Sequence, residues 1–192
     1  MKGIDRLLWV LTLLLALALA GCGAEPMSAE EHFKKGNEFA QAGEFDKAIA
    51  EYQAVLKADP NNVSALTNLG VAYYNAGNLD QAIAQYQKAL QIAPNDADIH
   101  SNLAAACVQK AQLNQTQPDR TLMDKALQEY QKAVELNPDL AEAHFGLGVI
   151  YVTLGQNDKA IAAFEKFQQV DKGTDQIATE QAAQYLKQLK GQ

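Results

Sequence analysis

Hydrophobic and polar residues follow two unlike patterns along the chain. From Leu7 to Ala20 there are 14 residues without a charge, behind a start that carries Lys2 and Arg6. After residue 28, apolar positions recur at the 3.6-residue spacing of helices that bury one stripe. A short phrase returns within this second region: Ala48-Ile49-Ala50-Glu51-Tyr52, Ala82-Ile83-Ala84-Gln85-Tyr86, Ala126-Leu127-Gln128-Glu129-Tyr130 and Ala160-Ile161-Ala162-Ala163-Phe164. Gly36 and Gly70 are 34 residues apart, as are Pro60 and Pro94, while Pro138 follows after 44. The pattern therefore predicts a 34-residue repeat with one insertion of 10 residues, placed within Lys110 to Thr121. Ser28 with Glu31 reads as a capping box opening the first helix. Gly173 reads as a helix stop, and beyond it Ala178, Ala182, Tyr185, Leu186 and Leu189 share one face of a last helix whose other face is polar.

These repeats resemble the tetratricopeptide repeat, a family of 34-residue pairs of antiparallel helices. The second unit carries the whole signature in Leu66, Leu69, Gly70, Tyr73, Ala82, Tyr86, Ala89 and Pro94. The first keeps Gly36, Phe39, Ala48, Tyr52 and Pro60; the third has Ala104 and Cys107 where glycine and tyrosine are usual; the fourth has Lys172 in place of proline. The expected fold is an all-α solenoid: unit 1 over 29–62, unit 2 over 63–96, unit 3 with the insertion over 97–140, unit 4 over 141–174 and a capping helix over 175–192. Small residues let paired helices approach, aromatics fill the space beside them, and stacking completes a core that one pair lacks.

The uncharged run is short for a spanning helix, which needs about 20 apolar residues, and suits a cleaved signal peptide over 1–21. Leu19-Ala20-Gly21-Cys22 resembles the lipobox of bacterial lipoproteins. That resemblance implies cleavage after Gly21 and acylation of Cys22 on its sulfur and its new amino group, with 22–28 as a short linker. Multiple acyl chains hold a protein firmly on its membrane. Gly23 stands where an Asp would signal inner-membrane retention, which implies an outer-membrane address where the cell has one. An uncleaved anchor is the alternative.

Composition narrows the function. Sixteen Lys and Arg against 23 Asp and Glu give a net charge of −7, against a nucleic-acid partner, whose phosphates select positive surfaces. Two cysteines are too few for a disulfide scaffold or a structural zinc site. His32, His100 and His144 hold equivalent positions in separate units, which argues for packing rather than a metal site. No nucleophile elbow, phosphate-binding glycine loop or paired-histidine metal motif occurs, so no cofactor and no catalysis are expected. Cys107 reads as a buried thiol.

The resemblance implies that the first helix of each pair lines a concave groove. Its positions are occupied here by Phe33, Asn37, Asn68, Val71, Tyr74, Asn75, Asn102, Gln109, Phe145 and Val149. Asparagine amides suit a peptide backbone and the aromatics suit apolar side chains. Members that grip a terminal carboxylate use Lys and Arg, but Phe33, Asp98 and Asn102 stand at those places, so the groove is expected to prefer neutral or basic, partly apolar ligands. Two readings stay open: a lipid-anchored scaffold that binds a partner protein or peptide, and an envelope lipoprotein that self-associates into a homo-oligomer.

Overall fold

The computed structural model describes residues 27–113 and 118–191; the signal segment and Cys22 lie outside the described residues. Among these there are nine helices and no strand: α1 (Ala29–Gln41), α2 (Phe45–Ala58), α3 (Val63–Asn75), α4 (Leu79–Ile92), α5 (Ala97–Ala111), α6 (Arg120–Leu136), α7 (Ala141–Thr153), α8 (Asn157–Asp171) and α9 (Gln176–Leu189). Each helix packs on its neighbours in the chain, and α1 also touches α3, α3 touches α5 and α5 touches α7. The first helices of successive pairs therefore share the inner side of the array. The fold is the expected α-solenoid.

Local chemistry sets the helix ends. The Ser28 hydroxyl accepts from the Glu31 amide at 3.2 Å, and the Glu31 carboxylate accepts from the Ser28 amide at 2.7 Å, completing the capping box. Asn62, Asp96, Asp119 and Asp175 cap α3, α5, α6 and α9 through their side-chain oxygens. Within three pairs the turn is made by Gly43, Gly77 and Gly155, with φ of 74°, 78° and 67°, a left-handed conformation that glycine adopts without strain. In the third pair Ala111 stands one repeat beyond Gly77, so α5 continues through it. The insertion lengthens both helices: α5 has 15 residues against 13 in α1, α3 and α7, and α6 has 17 against 14 in α2 and α4. The residues from Gln112 to Gln117 followed by Pro118-Asp119 read as an extended first helix and a turn, whereas the structure shares the extension between the two helices.

Between helices of a pair, aromatics seat on glycine. A Cβ on Gly36, Gly70 or Gly148 would come within 2.6 Å of the ring of Tyr52, Tyr86 or Phe164 respectively, so only glycine admits these contacts. Buried residues form three clusters along the array: around Tyr52 and Leu69, around Tyr86, Leu103 and Met123, and around Phe164, Phe167 and Leu186. Stability in such an array is close to a sum over units and their interfaces.

The histidines belong to this packing. His32 Nδ1 lies 2.6 Å from the Glu51 carboxylate and His100 Nδ1 lies 2.6 Å from that of Glu129, each joining the two helices of its pair. Nε2 of His100 and of His144 donates to the carbonyl of Pro94 and Pro138, at 3.0 and 2.8 Å, tying α5 and α7 to the preceding junctions. Cys107 is fully buried, and burial pushes its thiol above the usual range, away from reactivity.

The last pair ends differently. Without a proline, α8 stops at Lys172 with φ 52°, followed by Gly173 with φ 81°. The buried Asp171 carboxylate organises the reversal by accepting from the Thr179 hydroxyl at 2.8 Å, the Asp175 amide at 3.1 Å and the Gly173 amide at 3.0 Å. Burial pushes this carboxyl up, but the bonds from Thr179, Asp175 and Gly173 outweigh that and hold it below the ordinary aspartate value of 3.8. A lowered native pKa contributes stability above the unfolded value and loses it as pH falls through the native one. Asp171→Asn is therefore expected to be less stable than the parent at neutral pH, with the gap closing below pH 3.8 as the parent protonates. Urea midpoints measured along a pH series check this; a gap that does not change with pH would show that ionisation of Asp171 is not what holds the cap.

Candidate binding groove

The inner side of the array carries a cavity of about 280 Å³ whose walls come from three units. Tyr74 of α3 stands at one side; Ala105, Val108, Gln109 and Gln112 of α5 form the middle; Phe145, Gly146 and Val149 of α7 close the other side, with Tyr130 of α6 below. Of the ten groove residues expected from sequence, Tyr74, Gln109, Phe145 and Val149 meet here. Burial pushes the phenols of Tyr74 and Tyr130 above their ordinary values, so both are neutral groups able to donate a hydrogen bond.

The other six are placed differently. Phe33 lines a separate depression of about 330 Å³ with Val55 and Asn62, near the start of α1 and α3, and its ring tilts on Tyr52 with centroids 5.9 Å apart. The Asn37 carbonyl accepts from the Tyr52 hydroxyl at 2.7 Å and from the Asn68 amide at 3.0 Å, so these asparagines join α1 to α3. Asn75 donates at 2.9 Å to the Val71 carbonyl of its own helix. Val71 is half-buried against the central core, and Asn102 is half-buried on α5.

Tyr130 and Gly146 were not anticipated. Tyr130 occupies the position that Tyr52, Tyr86 and Phe164 hold in their units, but the glycine it would seat on is Ala104 in this unit. Its ring packs instead on Gly146 of the next unit, where a Cβ would fall inside the ring surface with the hydroxyl oxygen at 2.7 Å. The two departures explain each other: the methyl of Ala104 occupies the usual seat, and Gly146 supplies another. This shift puts an aromatic from a second helix into the floor of a groove otherwise lined by first helices.

Comparison with known proteins follows the same architecture. Tetratricopeptide repeat models match residues 33–97 and 141–174, and a TPR repeat model matches 123–155. This chain belongs to the tetratricopeptide repeat family. A solved structure of MamA is 30% identical to this TPR protein, with a TM-score of 0.62, over 80% of this chain and 91% of that one. TTC0263, a thermophilic TPR protein in Thermus thermophilus, is 22% identical with a TM-score of 0.67, over 84% and 81% of the two chains. YrrB, named as a TPR protein with an unusual peptide-binding site, is 24% identical with a TM-score of 0.62, over 82% and 76%. At those last two identities the likeness concerns the fold. No curated protein sequence matches this TPR protein significantly.

Among the described residues no helix is long and apolar enough to cross a membrane. No group of three or more metal-ligating side chains converges among them either. Carboxylates near histidine, at Glu51 and Glu129, are held in interhelix pairs rather than in a cavity.

Proposed function

We propose that this TPR protein is a noncatalytic scaffold that binds a segment of a partner protein in its groove while Cys22, acylated at a lipobox, holds it at the bacterial envelope. The observation that carries the binding part is the cavity walled by Tyr74, Val108, Gln109, Phe145 and Val149. Its lining is divided about evenly between apolar and polar surface, with glutamine amides and the phenols of Tyr74 and Tyr130 at fixed points, a makeup that seats an apolar side chain and orients a backbone. Support for the anchor comes from sequence: the uncharged run ends at Leu19-Ala20-Gly21-Cys22. Five residues, Gly23 to Met27, separate Cys22 from Ser28 and span at most about 18 Å, which would keep the repeats near the bilayer and the groove within reach of other envelope proteins.

One experiment with two arms tests this reading. Partners captured from detergent-solubilised envelopes are identified by mass spectrometry for the lipidated parent and for Tyr74→Ala/Val149→Ala, with circular dichroism confirming that the variant is folded. The expected result is loss of at least one partner from the variant; retention of every partner removes the groove from the reading. In the second arm Cys22→Ser is expected to leave the membrane fraction. Retention there with an unprocessed mass replaces the lipid anchor by an uncleaved one.

A further inference from the structure

Beside the groove cavity lies a second one of about 320 Å³, between α7 and the capping helix α9. The two share Tyr130, Phe145 and Gly146 as walls and so adjoin each other. Phe145, Phe167, Ala178 and Ile177 make its apolar lining, while Glu142, Asp171 and Asp175 bring carboxylates to it. Neither cavity is lined by a lysine, arginine or histidine, and Lys172, the next residue after Asp171, is not among the lining residues. Asp171 accepts two hydrogen bonds from the turn and one from Thr179 of α9, and Asp175 uses Oδ1 to cap α9 at 3.0 Å, leaving its Oδ2 and the whole Glu142 carboxylate without a partner among the described residues.

Two further features point to a ligand here. Tyr130 is 6% exposed, yet its hydroxyl has no hydrogen-bond partner among the described residues and borders both cavities. The oxygen itself is not sealed from solvent, so a bound group takes the place of water on a phenol whose ring is fixed by packing. Ile177 is 72% exposed at the rim, although α9 elsewhere turns its large apolar residues onto the core.

We infer that this second cavity takes the lysine or arginine side chain of a bound protein segment whose nearby apolar residue fills the Tyr74 and Val149 cavity. The inference rests on the groove reading and specifies its ligand: an apolar residue close to a basic one. The aliphatic stem of the basic residue lies along Ile177 and Ala178, its charge meets Glu142 and Asp175, and the partly exposed ring of Phe145 adds cation–π attraction. The Tyr130 hydroxyl donates to a backbone carbonyl between the two side chains. An acidic segment meets unpaired carboxylates in a site walled by apolar groups and is repelled.

The test uses fluorescein-labelled, amidated peptides in a Gly/Ser background, each with one Leu and one Arg at every spacing from adjacent to one helical turn. Matched peptides carry norleucine or Glu in place of Arg. Binding is read by anisotropy on the soluble chain beginning at residue 23. At the best spacing, the Arg peptide is expected to bind about tenfold more tightly than the norleucine one, the scale of a close charge pair, and the Glu peptide more weakly still. Glu142→Gln/Asp175→Asn, checked by circular dichroism, should abolish that preference while keeping dependence on Leu. Equal binding of Arg and norleucine peptides, weakened by Tyr74→Ala, overturns the cationic subsite and leaves the groove standing. No binding by any Leu/Arg peptide, or binding that Tyr74→Ala does not change, overturns both; a stable dimer by light scattering, with peptides unable to compete, assigns the surface to a second copy and also overturns the inference.

Discussion

Phe164→Ala is expected to lower stability by about 3–5 kcal/mol, the range for truncating a fully buried phenylalanine. The residue is 0% exposed and holds three helices together. It seats on Gly148 of α7, meets the edge of Phe145 at 5.7 Å between centroids, and stacks on Tyr185 of α9 at 4.9 Å with the rings 6° apart. Alanine removes all three contacts and leaves a void that α9, joined to the array mainly through this cluster, cannot fill. A loss of this size is a large fraction of the roughly 5–15 kcal/mol that stabilises a typical domain. Because the clusters around Tyr52 and Tyr86 do not include Phe164, the damage is expected to be local. Hydrogen exchange should show α8 and α9 losing protection while α1 to α4 keep theirs. Equal loss along the whole chain would mean that the array unfolds as one cooperative body.

The fold was legible because close helix contact leaves a signature in residue size. Glycine on one helix and an aromatic on the next recur at a fixed spacing, as in Gly70 with Tyr86, and nothing distant in sequence is needed to read it. The groove was less legible because its residues depend on contacts between units. Asn37 and Asn68 read as free amides when each repeat position is taken separately, but neighbouring first helices bring them together, so the Asn37 carbonyl is already occupied. Asn75 is at the end of α3 and bonds to its own backbone. Tyr130 was hidden by a different cause. Its position in the repeat assigns it to the core of its own pair, and only Ala104 together with Gly146 signals that the ring has moved; reading the two as a linked exchange would have placed it in the groove. The end of α8 shows the same limit, since Lys172 marks the missing proline but the Asp171 bonds that replace it are set by the tertiary turn.

That exchange makes a second strong prediction. Gly146→Ala should destabilise the protein by about 1–3 kcal/mol, the usual cost of overpacking a filled site. Helix propensity alone favours alanine over glycine by about 1 kcal/mol, so the sign depends on whether Tyr130 can give way. Tyr130 is buried, with Gly146 against its ring and hydroxyl, and Ala104 closes the seat that its counterparts use. Opening that seat should reverse the effect: with Ala104→Gly, the ring can pack within its own pair as Tyr86 packs on Gly70. The double variant is therefore expected to be more stable than the sum of the single changes allows, by about 1–2 kcal/mol, a coupling typical of residues that share one side chain. Urea unfolding of the four proteins measures it, and simple additivity would show that Ala104 does not direct Tyr130. The binding consequence separates from the stability one. A double variant that regains stability has drawn Tyr130 out of the groove floor, so it should still bind more weakly than the parent, because the hydroxyl between the two cavities has gone with the ring.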